Sequence, residues 1–211
     1  QAIETYRHGL TLDPKLALLY ANLASALLAL DRYEDVDPVV REAESHGAQS
    51  QGLRRVVYSL AFIRGDHAAM TRTLQSSIGL GQTNFAYEWL AHVAAFSGRV
   101  KMAHVQFQLG ATLTAQAGLK SIAGQLIAQD AVAHALVGQC DATRQEGPRA
   151  LESSRDNVTL ELLARALGFC GDASPATSLL KELESQYPEA TLTVRIAAPI
   201  AAAATGLGGG E

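Results

Sequence analysis

The residues able to do chemistry in this chain are few and scattered. Six histidines, His8, His46, His67, His92, His104 and His134, are the candidates for metal ligation or proton transfer. No two of them stand four apart, the spacing that sets two imidazoles on one helical face, and no HExxH occurs. His92 and His104 fall on stretches that antiparallel helices would bring together, but a metal would need a third ligand that their spacing does not name. The expectation is therefore no metal site and no cofactor, with the histidines in surface or interhelix hydrogen bonds. Asp31, Glu34, Asp35 and Asp37 form an acidic cluster without the DxDxDG spacing that wraps calcium. Its place at a helix start suits charges stabilised by the helix dipole.

Nucleophiles are equally isolated. Cys140 and Cys170 are the two cysteines, neither in a CxxC pair nor beside an activating histidine, so they read as buried small residues rather than a disulfide framework. Ser76-Ser77 and Ser153-Ser154 lack a Gly-x-Ser-x-Gly elbow. The glycine-dense end, Gly206 to Glu211, has no following lysine or helix start to cradle a phosphate, and reads as a flexible tail or a cut edge. No catalytic constellation emerges, and the chain is not expected to be an enzyme.

The elements carrying these residues are helical. Apolar residues make up 48% and aromatics 6%, a balance that favours close-packed Ala- and Leu-rich helices over strands. With 17 basic and 21 acidic residues and no basic block, nucleic acid and anionic membrane are poor partners. Leu16 to Leu30, the apolar run near the start, is 15 residues long and interrupted by Asn22 and Ser25, short of the ~18 to 20 a membrane span needs. Gln1 begins inside a helical pattern without a signal peptide, so the sequence reads as a piece of a longer protein.

The helices repeat. Small-residue turns at Asp31-Arg32, Gly65-Asp66, Gly98-Arg99, Gly138-Gln139 and Gly171-Asp172 align on unit starts at Ala17, Gln51, Asn84, Gly124 and Asn157. A half unit, residues 1–16, precedes them and a partial unit, residues 191–211, follows. The steps are 34, 33, 40, 33 and 34 residues. First helices carry Tyr20, Leu23, Ala24 and Leu27; Tyr87, Leu90, Ala91 and Ala94; Leu160, Leu163, Ala164 and Leu167. Second helices carry Ala2, Tyr6, Gly9 and Pro14; Ala103, Phe107 and Gly110; Ala176, Leu180, Leu183 and Pro188. Small residues let antiparallel helices approach and large ones fill the groove between neighbours.

This period and pattern resemble the tetratricopeptide repeat family. The resemblance implies an all-α, right-handed α-solenoid of stacked helix-turn-helix units, one array over residues 1–211. YSLAFIRGDHAAM (Tyr58 to Met70), FSGRVKMAHV (Phe96 to Val105) and ELESQYPEATLTVRIAAPIAAA (Glu182 to Ala203) further resemble arrays that follow a bacterial eukaryotic-like serine/threonine kinase domain or a winged-helix regulator domain. No kinase signature occurs in these residues, neither an HRD nor a DFG. Three departures stand out. The 40-residue step adds residues around Gln116 to Ala123, enough to lengthen two adjacent helices by a turn each. Gly147-Pro148 falls where a proline should kink or break a second helix. Asp130 stands where the family expects Leu.

In the family, first helices line a concave groove. The corresponding positions give Arg55, Ser59, Phe62, Phe85, Glu88, His92, Phe96, Glu161, Arg165 and Phe169 as the candidate partner-binding residues, the aromatic rings serving as anchors or packing against the next unit. The lysines and asparagines of a carboxylate clamp are absent from these positions, which favours an extended or helical peptide or a piece of the parent protein. The expected function is thus a non-catalytic protein-interaction module, the sensory or scaffolding part of a bacterial kinase. The alternatives are a winged-helix regulator's array, a self-assembling structural module, or an enzyme acting through His92 and His104. The expected setting is cytoplasmic, or extracytoplasmic where the parent chain carries a membrane span upstream.

Overall fold

The computed structural model describes residues 1–209, and every regular element among them is helical. Contacts divide the chain into two compact units, Gln1–Trp89 and Leu90–Glu211. The first unit holds α1 (Ala2–Leu12), α2 (Ala17–Ala29), α3 (Val36–Ser45, entered by a 3-10 turn over Tyr33–Asp35), α4 (Gln51–Ile63), α5 (His67–Gly79) and the start of α6 (Thr83–Phe96). α2 packs against α1, α3 and α4, and α4 against α5. Tyr20, Leu23, Ala24 and Leu27 recur at i, i+3, i+4 and i+7, and all four are fully buried. The phenol of Tyr20 is satisfied in that core, donating to the Pro14 carbonyl at 3.1 Å with His46 Nδ1 also at 3.1 Å. The acidic cluster beside it is held by arginines: Arg64 pairs with Asp37 at 2.9 Å and Arg32 with Asp35 at 2.7 Å. Asp37 lies in the first turn of α3, but Asp35, the N-cap, makes no side-chain cap bond.

The second unit contains the end of α6, then α7 (Val100–Gln116), α8 (Lys120–Leu136), α9 (Cys140–Ser153), α10 (Asn157–Phe169), α11 (Ala173–Gln186), a π-helical turn over Thr193–Ala197 and α12 (Ala198–Gly209). α10 is its centre, packing against α8, α9, α11 and α12, and it buries Leu160, Leu163, Ala164 and Ala166 completely. α7 and α8 are 17 residues each, against 13 for α4 and α10, so the long repeat step is absorbed as one extra turn on each of two neighbours. The turns between paired helices share one geometry. Gly65, Gly98, Gly138 and Gly171 all have φ between 67° and 75°, and the next N–H returns to the carbonyl of Ala61, Ala94, His134 or Leu167 at 2.8–2.9 Å. That is a Schellman closure, which needs a residue in the left-handed region.

Three expectations are corrected here. Pro148 does not break α9, which is continuous from Cys140 to Ser153. Its ring is on the solvent face, where the carbonyl it leaves unbonded can be hydrated. The glycine-rich end is helical through Gly209; Gly210 and Glu211 lie outside the described residues. Backbone packing accounts for this: a Cβ on Gly168 would lie 2.8 Å from the Thr205 nitrogen, and one on Gly208 would fall onto the Gly168 carbonyl. The missing side chains let α10 and α12 touch backbone to backbone. Finally, Cys140 and Cys170 are not separate buried thiols. They form a disulfide, Cα to Cα 5.5 Å, joining the first residue of α9 to the C-cap of α10.

Asp156 locks the start of α10. Its Oδ1 accepts from the N–H groups of Val158 at 3.0 Å and Thr159 at 2.9 Å. Its Oδ2 accepts from Ser121 at 2.7 Å, Ser154 at 2.8 Å and Gln125 at 3.2 Å. Burial works to raise this carboxyl, but the hydrogen bonds from Thr159, Ser121, Ser154 and Gln125 outweigh it and hold it below the usual range. A depressed folded-state value stabilises above the unfolded value near pH 3.9, and that stability is lost as pH falls through the folded value. We expect Asp156→Ala to cost about 1–2 kcal/mol at pH 7 in urea unfolding. Asp156→Asn should flatten the stability loss below about pH 4; an unchanged acid limb would contradict this assignment.

Candidate functional site

The predicted groove residues divide between the two units. On α4, Arg55 is exposed while Ser59 and Phe62 are half-buried; Phe85 and Glu88, on the first part of α6, are half-buried too. In the second unit, Phe96 at the end of α6 is 82% exposed. His92 is exposed and sets its ring edge-on to the buried Phe107, centroids 5.4 Å apart. On α10, Glu161 is buried, with Arg165 Nε 3.4 Å from its carboxylate, and Phe169 packs against the core. Burial pushes the Glu161 carboxyl above its usual range, and the Arg165 charge pulls it back in part. Glu161 and Arg165 therefore serve each other first, whereas Phe96 is the most exposed of these rings.

The polar constellation lies elsewhere, between α7 and α8. Asp130 and His134 stand one turn apart on α8, and His104 faces them from α7. Asp130 is completely buried and His134 nearly so, while the His104 side chain is 38% exposed. His104 Nδ1–H donates to Asp130 Oδ2 at 2.7 Å, and Gln108 Nε2, one turn along α7, donates to the same oxygen at 2.9 Å. The other oxygen, Oδ1, accepts no hydrogen bond and lies 3.5 Å from His134 Nε2. That nitrogen is also 3.5 Å from His104 Nδ1. The far side of His134 is fixed: its Nδ1–H donates to Gln139 Oε1 at 2.8 Å. An amide oxygen can only accept, so the neutral ring points its Nε2 lone pair into the cluster.

Around this core a second layer sets Gln108. Its Nε2 also lies 3.3 Å from Glu146 Oε2, and its Oε1 accepts from Arg149 at 2.8 Å. Arg149 in turn pairs with Glu146 at 2.7 Å. The sequence expectation for these residues is thus revised. His104 does find partners across an antiparallel pair, but they are Asp130 and His134, not His92. Sequence held a signal for this that spacing between histidines misses: an aspartate at a core Leu position, with a histidine four residues later on the same face. Three donor atoms, one each from His104, Asp130 and His134, lie within 4.8 Å of one another, a set able to ligate a cation. Among the described residues no helix is long and apolar enough to cross a membrane. No protein-family model matches the chain, and no curated protein matches it either.

Proposed function

We propose that this chain is a non-catalytic protein-interaction module, an α-solenoid of tetratricopeptide-like hairpins whose first helices offer apolar and charged side chains to a peptide or partner domain. The observation that carries the reading is the packing within each unit. First helices touch their own second helix and also the next first helix, α2 against α4 in one unit and α8 against α10 against α12 in the other. Such packing leaves a side-chain row partly open on α4 and α6, on a surface already ordered before a partner arrives, while the same row of α10 is largely covered. Arg55, Ser59, Phe62, Phe85 and Glu88 supply that row in the first unit. His92 and Phe96 supply it in the second; Glu161, Arg165 and Phe169, on α10, are the more covered candidates there.

The disulfide bears on where such a module works. Bridges of this kind persist in oxidising compartments and are reduced in most cytosols. It therefore favours an array on the extracytoplasmic side, the sensory part of a membrane-anchored kinase, over a winged-helix regulator's cytosolic array. Two experiments test the reading. Peptides selected by display on the intact chain should lose affinity when Phe62 or Phe96 is replaced by alanine. Mass analysis of the protein recovered from its native host should show Cys140 and Cys170 bridged.

A further inference from the structure

We propose that His104, Asp130 and His134 form a zinc site, with Nδ1, a carboxylate oxygen and Nε2 as the three protein ligands and water in a fourth position. The argument begins from an electrostatic gap. His134 Nε2 and Asp130 Oδ1 direct lone pairs at each other across 3.5 Å, and Oδ1 accepts no hydrogen bond. Asp130 is fully buried, so this oxygen carries the desolvation cost of an unpaired acceptor on an ionised group. A cation between the three groups removes that cost.

Two of the three ligand–ligand distances suit a first-row ion, and the third lies within 4.8 Å. Metal–nitrogen and metal–oxygen bonds of about 2.0–2.1 Å in a tetrahedron separate neighbouring ligand atoms by about 3.3–3.4 Å. The nitrogen pair His134 Nε2–His104 Nδ1 and the pair His134 Nε2–Asp130 Oδ1 are each 3.5 Å apart. Two imidazoles and one carboxylate favour zinc over calcium or magnesium, which prefer six or more oxygens. To ligate through Nδ1 the neutral His104 ring carries its proton on Nε2 instead, and the ion takes the place of the Nδ1–H···Oδ2 hydrogen bond to Asp130. The outer contacts are those of a built site. Gln139 fixes the His134 tautomer and Gln108 holds the free edge of Asp130. The exposed side of His104 gives the ion a route in.

The test uses the intact, oxidised chain, so that neither cysteine offers a thiolate. After stripping with chelator, zinc should bind with one-to-one stoichiometry in calorimetry and raise the melting temperature. Cobalt(II) should give the intense visible bands of a four-coordinate ion. His104→Ala, at a part-exposed position, and Asp130→Asn, which keeps the side chain's shape, should each weaken zinc at least about 100-fold, while the exposed His67→Ala should bind as wild type. Gln139→Ala should weaken it about 10- to 100-fold by freeing the ring of His134. Circular dichroism establishes that each variant is folded. Failure of wild type to take up one equivalent of zinc or cobalt overturns the proposal. So does unchanged affinity in folded His104→Ala and Asp130→Asn.

Discussion

Reducing the Cys140–Cys170 bridge, or replacing both cysteines by serine, should lower the unfolding free energy of the second unit by roughly 3–4 kcal/mol. The bridged residues are 30 apart in sequence, and the loop they close contains nearly all of α9 and α10. In the chain-entropy account, such a crosslink removes about 12 cal/mol/K from the unfolded ensemble, which sets that magnitude at 25 °C. The bridge also fixes the start of α9 to the end of the helix that centres the unit's core, so opening it frees a boundary of that core. Melting should fall by on the order of 10 °C. Denaturant melts with and without reductant check this; coincident curves would mean that the bridge constrains nothing that folding does not already fix.

Gly168→Leu should be at least as damaging, by about 3 kcal/mol or more. A Cβ at this position would meet the Thr205 nitrogen and Oγ1, both at 2.8 Å, and the Ala204 carbonyl carbon at 3.1 Å. These are mainly backbone atoms of a helix, which cannot turn aside as a flexible side chain would. α12 must move away from α10, exposing Ala198, Ala201 and Ala204, which are now buried. Gly147→Ala, whose added Cβ meets nothing within 4 Å, is the control and should be neutral or slightly stabilising in its helix. Equal melts for Gly168→Leu and wild type would show that α12 does not sit against α10 as described.

The helices were legible because their apolar spacing is local. Tyr20, Leu23, Ala24 and Leu27, or Leu160, Leu163 and Ala164, repeat at the helical period, and each is buried. α2, α4 and α10 begin at Ala17, Gln51 and Asn157, the positions that the turns predict. α8 begins at Lys120, four residues before the expected Gly124, because the extra turn lies at its start. What stayed hidden depends on proximity across a repeat. Cys140 and Cys170 each look isolated until two hairpins stack and bring their turns together. Asp130 looked like an irregularity in a Leu position, and its meaning required seeing His104 on α7. The continuity of α12 through Gly206 and Gly208 was likewise invisible, since glycine reads as a helix breaker until a partner backbone requires its absence of a side chain.

The proposed function is binding through the first helices. Peptides selected by display on the intact chain, with affinities then measured on wild type and on Phe96→Ala, test it most directly. Phe96 is 82% exposed, and a melt of Phe96→Ala beside wild type establishes that the variant is folded before affinities are compared. Loss of an aromatic anchor should raise Kd at least about tenfold, equivalent to about 1.4 kcal/mol. Enrichment of no peptide, or equal Kd for wild type, Phe96→Ala and Phe62→Ala, would contradict the claim.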